Sequence, residues 1–223
     1  MNLDKFDWGT SSEWFFKTIN KEIFEERIYE RFFEVEKDDI VMDIGASIGP
    51  FPFSIIEKKP KKIICFEPSF EEFPTLVKNT LHGNVYCINK GISSVDGEQL
   101  FNDLYGQKNS AGIAHGITFK QVIDDFNLDK IDFLKTDCEG GEYSIFNDEN
   151  LEYIQTNIKK IVGEWHLLTA ELKTKFINFR DNYLVKFTNY EVYSIDGVNI
   201  KWDLFNENFM EYYTEVIIYI DNR

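Results

Sequence analysis

Short apolar runs alternate along the chain with longer amphipathic stretches. Seven runs have the length and composition of strands, and they span 40–44, 62–67, 85–92, 131–136, 161–165, 190–195 and 215–220. The first five are apolar almost throughout, as is typical of parallel strands covered by helices on both faces. Helical periodicity fills the intervals at about 51–58, 70–81, 119–126, 142–156 and 170–187. This alternation predicts an α/β, doubly wound, Rossmann-like fold whose seven-stranded sheet is mostly parallel.

The residues before the first strand predict a helix that covers the sheet. Between 12 and 35 the apolar residues recur at three- and four-residue steps, and Ser11 or Ser12 is a suitable N-cap. We expect a single domain over 1–223, with 1–37 as an N-terminal helical cover and 38–223 as the α/β core. The stretch 97–118 is rich in turn residues and lacks a sustained period, so it predicts a loop excursion that can act as a lid.

Charge and composition narrow the classes of partner. The net charge is −15, from 24 basic and 39 acidic side chains, so the average surface repels a phosphate backbone and nucleic acid is not an expected partner. No run of 18 apolar residues is present, and the N-terminus lacks the pattern of a signal peptide. The three cysteines lie in apolar, strand-like runs. We therefore expect a soluble, cytoplasmic protein.

A glycine-containing turn follows the first strand. The segment Asp43-Ile-Gly45-Ala46-Ser47-Ile-Gly49 opens into a helix, and such a turn lets a ligand approach backbone N–H groups closely. Its spacing differs from the Gly-x-Gly-x-x-Gly pattern of dinucleotide sites. An Asp within the turn suits a cationic amino-acid moiety better than a pyrophosphate, so these residues are candidate ligand contacts.

The second strand ends in Glu67-Pro68. An acidic side chain at this point of a nucleotide-binding fold can accept hydrogen bonds from both ribose hydroxyls. Many nucleotide-binding folds share this feature. An NAD(P)-dependent oxidoreductase on a similar fold and a non-catalytic nucleotide-binding module therefore stay open as alternatives.

Polar residues also follow the fourth and fifth strands. Asp137 and Glu139 end one strand and Glu164 and His166 end the other, and strand alternation places each pair on a common side. Ligand crevices of open α/β sheets lie at such strand ends. One of these groups can act as a general base. The same four groups can instead hold a divalent cation, which we favour less. Glu142 is interpreted as an acidic residue at a helix N-terminus.

Several of these segments together resemble the FkbM family of methyltransferases. They are Val41 to Phe51, Phe66-Glu-Pro-Ser69, Leu76-Val-Lys-Asn79, Asp132 to Tyr143 and Glu164-Trp-His166, with Lys135-Thr-Asp-Cys-Glu-Gly-Gly-Glu142 as the most specific element. The resemblance implies a class I methyltransferase fold with strand order 3-2-1-4-5-7-6, the last strand being antiparallel. It also implies S-adenosylmethionine as cofactor and O-methylation of a hydroxyl on a sugar, glycan or related small molecule.

The same resemblance assigns roles to individual residues. On the methyl-donor side it implies contacts from Asp43, Gly45, Ala46, Ser47, Gly49, Glu67, Pro68, Asn89, Gly91, Ile92 and Asp137. For catalysis it implies Asp137 and Glu139 at the reacting centre, with His166 as a further candidate. Ser47 stands where the family often has Asn, and the stretch 110–118 is shorter than usual, which leaves the acceptor side undefined.

Overall fold

A computed structural model describes residues 3–101 and 112–223. Ten strands lie in these residues: β1 (Ile40–Ile44), β2 (Lys62–Phe66), β3 (Val85–Ile88), β4 (Gly91–Ile92), β5 (Gly97–Phe101), β6 (Gly112–Ile117), β7 (Ile131–Thr136), β8 (Ile158–His166), β9 (Tyr190–Ser194) and β10 (Glu215–Asp221). Seven of them form one sheet in the order β3-β2-β1-β7-β8-β10-β9. In that sheet β10 is antiparallel to both neighbours, and the remaining pairs are parallel.

The predicted fold class is confirmed. Counted in chain order within the large sheet, the seven strands have the predicted order 3-2-1-4-5-7-6, and the numbering differs because β4, β5 and β6 intervene. The predicted third strand was too long. It ends at Ile88, where the Lys90 N–H turns back to the Ile88 carbonyl at 2.9 Å, and the chain then begins the separate strand β4.

A second, three-stranded sheet with the order β4-β6-β5 follows β3. It occupies much of the stretch 97–118, for which the sequence predicted an irregular excursion. In it β5 pairs antiparallel with β6, and β4 pairs parallel with β6. Sequence periodicity missed these strands because glycines at 97, 112 and 116 interrupt the alternation. The central part of the predicted lid, 102–111, lies outside the described residues.

Helices pack on both faces of the large sheet. Within the described ranges the α-helices are α1 (Glu13–Ile19), α2 (Pro50–Ile55), α3 (Phe73–Asn79), α4 (Phe119–Phe126), α5 (Leu151–Asn157), α6 (Ala170–Asn182) and α7 (Phe209–Tyr212). The predicted bounds of α4 are confirmed. The stretch predicted as one helix over 142–156 is instead a 3-10 turn at Gly141–Ser144 followed by α5. None of the described helices has the length and apolar character needed to cross a membrane.

The N-terminal segment is a broken helix. Ser12 caps α1, because its Oγ accepts the Phe15 N–H at 3.1 Å. A π-helical turn at Asn20–Glu25 follows, and the chain then breaks at Arg27, whose φ of 51° is left-handed. The prediction of one continuous helix over 12–35 is therefore wrong. The break places the next residues, Ile28 and Tyr29, against the sheet, where both are buried.

Alternating strand residues divide the core between the two faces of the sheet. In β1, Met42 packs in one cluster of buried side chains and Val41 in the other. The cluster around Val41 contains Ile28 and Phe33 of the N-terminal segment, which therefore covers this face. A buried hydrogen bond of 2.6 Å from the Tyr219 hydroxyl to the Ile28 carbonyl ties the segment to β10.

Candidate active site

A cavity of about 700 Å³ lies at the carboxyl ends of β1, β2, β7 and β8. Its volume is in the range of small-molecule and cofactor sites. The turn after β1 and the N-terminal segment both contribute to its wall. Among the predicted site residues, the lining includes Gly45, Ala46, Ser47, Glu67, Pro68, Gly91, Ile92, Asp137, Glu139, Glu164 and His166. Of the described predicted residues, Asp43, Gly49 and Asn89 do not reach this wall.

Gly45 brings the turn after β1 into contact with the end of β7. Its φ is +77°, and a Cβ at this position would lie 1.7 Å from the backbone oxygen of Asp137. The N–H groups of Gly45 and Ala46 both donate to the Phe66 carbonyl at 3.0 Å, which joins the turn to β2. Since no side chain fits at Gly45, the close approach of these strand ends depends on glycine.

Asp43 supports this turn from behind the cavity wall. Its side chain is fully buried, and its Oδ1 lies 3.0 Å from Lys135 Nζ. Lys135 Nζ also donates to the Gly45 carbonyl at 2.6 Å. Burial raises the pKa of Asp43 to about 6, although the positive charge of Lys135 opposes the rise. Lys135, which the sequence analysis gave no role, thus holds the turn in place and lines the cavity itself.

Glu67 lies at the end of β2 with its carboxylate held by two backbone donors. The N–H of Ser47 donates to Oε2 at 2.8 Å, and the N–H of Ser69 donates to Oε1 at 2.7 Å. Burial and the negative charge of Glu72 raise its pKa. Asn89 does not line the cavity, but it contacts Glu67: its Nδ2 donates to the Glu67 carbonyl at 2.8 Å. Glu67 is therefore fixed in position at the cavity wall.

Four ionisable side chains converge at the other end of the cavity. The Nε2 atom of His166 lies 3.9 Å from Asp137 Oδ1, 3.7 Å from Glu139 Oε2 and 3.8 Å from Glu164 Oε1. His166 and Glu164 are buried, whereas the Glu139 side chain is 40% exposed. The structure thus brings together the four groups that the sequence placed at adjacent strand ends.

Glu142 orients His166. Its Oε1 accepts the His166 backbone N–H at 3.0 Å and lies 3.3 Å from the ring Nδ1. Its Oε2 accepts the Gly140 N–H at 2.8 Å. Glu142 is fully buried and belongs to a 3-10 turn. Its interpretation as an acidic residue that complements the dipole at a helix N-terminus did not include these contacts with His166. No spacing rule connects Glu142 with a histidine at the end of β8.

The surrounding carboxylates determine the charge of His166. Burial lowers the pKa of its ring, but the hydrogen bond and charge of Glu142, together with Glu164 and Asp137, raise it to about 10. The imidazole is therefore protonated at neutral pH, and in this state it cannot accept a proton. For Glu164, burial and the nearby charge of Asp137 raise the pKa.

The N-terminal segment contributes residues that the sequence analysis did not assign. The Tyr29 hydroxyl donates to Asp137 Oδ2 at 2.8 Å, and the Tyr29 ring is buried. Glu22 also lines the cavity, and burial and the charge of Asp137 raise its pKa to about 7. The segment is anchored where Asn79 Nδ2 donates to the Asp7 and Ile48 carbonyls, each at 2.8 Å. The cavity wall therefore depends on residues far apart in the chain.

The part of the chain that carries this site matches the model of a known family. The family model described as "Methyltransferase FkbM domain" matches residues 43–192. This range begins at Asp43 and includes the strand ends that carry Glu67, Asp137 and His166. No curated protein matches the chain.

Solved structures share the fold at low sequence identity. A protein from Listeria monocytogenes described as an S-adenosylmethionine-dependent methyltransferase has a TM-score of 0.53 and 12% identity, covering 89% of this chain and 96% of that chain. A fibrillarin/Nop5p complex gives a TM-score of 0.54 and 14% identity, covering 92% and 82% respectively. A protein from Clostridium thermocellum described as an rRNA methylase gives 0.50 and 11%, covering 84% and 90%. At such identities the likeness establishes the fold, and it does not identify a substrate.

Proposed function

This chain belongs to the FkbM family of S-adenosylmethionine-dependent methyltransferases, and on that premise we propose that its acceptor atom is a hydroxyl oxygen of a sugar, glycan or related small molecule. The observation that carries the proposal is the group of Asp137, Glu139 and His166 at the end of the cavity opposite Glu67. Transfer to a hydroxyl requires an aligned oxygen and a proton acceptor, and this group can supply both.

The other end of the cavity fits the methyl donor. Ser47 Oγ is buried and, within the described residues, has no hydrogen-bond partner, so a polar ligand atom can satisfy it. The turn at Gly45 leaves no room for a Cβ, which allows close approach of a ligand to the backbone. The negative side chains of the cavity suit a sulfonium, which carries positive charge. We assign Glu67 to the ribose hydroxyls and Gly91 with Ile92 to the adenine.

Bound S-adenosylmethionine supplies an electrophilic methyl carbon attached to a positively charged sulfur. In the proposed reaction the acceptor oxygen forms a bond to that carbon while the carbon–sulfur bond breaks, and the hydroxyl proton passes to Glu139. We choose Glu139 because its side chain lines the cavity and is 40% exposed, whereas Oδ2 of Asp137 accepts the Tyr29 hydroxyl at 2.8 Å and lies 3.8 Å from Lys135 Nζ. Protonated His166 stabilises negative charge on the oxygen.

Charge supports a small or carbohydrate acceptor in preference to nucleic acid. The net charge is −15, and the cavity wall contains several carboxylates, including Glu22, Glu71, Glu72 and Glu215. A polyphosphate strand would meet repulsion both at the surface and at the site. A neutral hydroxyl compound meets no such electrostatic repulsion.

A screen for S-adenosylhomocysteine release with a panel of sugars, glycolipids and other hydroxyl compounds tests the proposal. We expect turnover with at least one member, and Glu139→Gln should lower kcat by about 10²–10⁴-fold, the usual contribution of a general base. Unchanged S-adenosylhomocysteine binding by the variant would show that the donor side is intact. Turnover with no hydroxyl compound, or full activity of Glu139→Gln, would contradict the proposal. Donor binding without turnover would favour the non-catalytic module.

A further inference from the structure

We propose that Asp137, Glu164 and His166 form a binding site for one divalent cation, with Mn²⁺ as the best chemical match. Each residue offers one ligand atom, and the three atoms all lie within 4.8 Å of one another. Ligand atoms of one cation with bonds of about 2.1 Å lie roughly 3 Å apart when adjacent and roughly 4 Å apart when opposite, so side-chain rotations must bring the three atoms about 1–2 Å closer to reach coordination distance. Two carboxylates with one imidazole suit Mn²⁺, which accepts both oxygen and nitrogen ligands.

The orientation of His166 is an independent sign of a ligand. Its ring is almost completely buried, and Glu142 holds Nδ1 at 3.3 Å, so Nε2 faces the cavity. In the described part of the chain Nε2 makes no hydrogen bond, since its three nearest carboxylate oxygens lie 3.7–3.9 Å away. A carboxylate that fixes one ring nitrogen while the other faces outward is the arrangement found behind metal-bound histidines.

Glu164 gives a second sign. It is 8% exposed and lines the cavity, yet within 3–101 and 112–223 its carboxylate accepts no hydrogen bond, and its ion pair there is the long contact of 3.8 Å with His166 Nε2. The other buried carboxylates of the site differ, because Glu67 and Glu142 each accept two or more backbone N–H groups. Buried carboxylates are normally hydrogen-bonded, paired or bound to a metal. A cation between Glu164 and Asp137 would satisfy both.

The consequence for chemistry rests on the proposed function. A cation at this point would lie beside the acceptor hydroxyl and would make its proton easier to remove. It would take the place of the Nε2 proton of His166, because an imidazole nitrogen must be deprotonated to bind a metal. Glu139 lies next to the three ligands and is not among them, so in this arrangement it keeps its proposed role as the proton acceptor. In this arrangement the cation would polarise the acceptor oxygen, and the Glu139 carboxylate would accept its proton.

Binding of Mn²⁺ to the full-length, chelator-treated protein tests the site without any need for an acceptor. We expect one Mn²⁺ per chain by calorimetry or by loss of the free-ion EPR signal. Glu164→Gln and Asp137→Asn should each weaken binding at least tenfold, and Glu142→Gln should weaken it about 10–100-fold through His166. Glu71→Gln, which removes the same charge from another part of the cavity wall, should leave the affinity within about twofold.

The outcomes separate this inference from the proposed function. Near-ultraviolet circular dichroism and S-adenosylhomocysteine binding verify that each variant is folded. Absence of stoichiometric Mn²⁺ binding by the wild-type chain, or equal affinity in Glu164→Gln, would overturn the metal site and leave hydroxyl methylation standing. Mn²⁺ binding that depends on Glu164, without methylation of any hydroxyl compound, would keep the site and overturn the proposed function.

Discussion

Glu142 accepts two hydrogen bonds from His166, one from its backbone N–H at 3.0 Å and one from its ring Nδ1 at 3.3 Å. The two contacts fix both the position of β8 at this residue and the rotation of the imidazole. The Nε2 atom is thereby directed toward Asp137, Glu139 and Glu164. Glu142 is therefore a positioning residue: it does not reach the cavity, but it determines which ring nitrogen does.

Replacing Glu142 by Gln should lower activity without changing donor affinity. The amide removes the charge that raises the pKa of His166, and we expect a loss of about 10–100-fold in kcat, the usual effect of removing a carboxylate behind a metal-bound histidine. The NMR titration of the His166 ring should move from about pH 10 toward lower pH. Glu142→Asp, which keeps the charge, should retain part of the shift. A Glu142→Gln variant whose ring titrates as in the wild type would contradict this role.

Stability should depend on the protonation of His166. Its folded pKa of about 10 is higher than the ordinary 6.5, so its stabilising contribution is complete below pH 6.5 and is lost as pH rises through 10. In this window the free energy of unfolding should fall by up to about 1.4 kcal/mol per pH unit from this group. Urea unfolding of the wild type and of His166→Gln at several pH values measures the effect. If the free energy of unfolding of His166→Gln fell equally steeply with pH, the pH dependence would belong to other groups.

Gly45→Ala should damage both stability and donor binding. The added Cβ would lie 1.7 Å from the Asp137 backbone oxygen, and the φ of +77° is unfavourable for alanine. We expect a destabilisation of at least about 2 kcal/mol and a loss of S-adenosylhomocysteine binding. Gly83→Ala is the matched control, since a Cβ there meets no described atom within 4 Å. It should change stability by no more than about 0.5 kcal/mol. If Gly45→Ala bound S-adenosylhomocysteine with wild-type affinity, donor binding would not depend on the close approach of the turn at Gly45 to the end of β7.

Tyr29→Phe should affect the site through Asp137. The substitution removes the 2.8 Å hydrogen bond to Asp137 Oδ2 and leaves the buried ring in place. We expect a stability loss of about 1 kcal/mol and a reduced kcat, because the carboxylate is less well oriented. Thermal unfolding and initial rates measure the two effects. Tyr212→Phe, at a position that is 67% exposed, serves as the control. An unchanged kcat in Tyr29→Phe would show that Asp137 needs no such support.

Local sequence patterns were enough to predict the large sheet and the turn after β1. The first five predicted strands are nearly continuous apolar runs, and Gly45 and Gly49 both have positive φ, as a tight strand–helix turn requires. Strand ends also predicted that Asp137, Glu139 and Glu164 lie near His166. These features follow from periodicity and from the rule that parallel strands end at one edge of a sheet.

Contacts between distant residues could not be predicted in this way. Glu142 and His166 are 24 residues apart, and Tyr29 and Asp137 are 108 apart. Neither pair carries a spacing signal, because each contact forms only when separate elements pack together. The break of the N-terminal helix at Arg27, which brings Tyr29 to the site, likewise depends on packing and overrides the helical period of the sequence.

The central claim is that a methyl group passes from S-adenosylmethionine to a hydroxyl oxygen. Incubation of the protein with methyl-¹³C-labelled S-adenosylmethionine and the acceptor panel, followed by NMR of the product, tests it most directly. The account predicts a labelled O-methyl carbon coupled through oxygen to a C–H of the acceptor, and loss of this signal in Glu139→Gln. A labelled methyl on a nitrogen or carbon atom of the acceptor would contradict it.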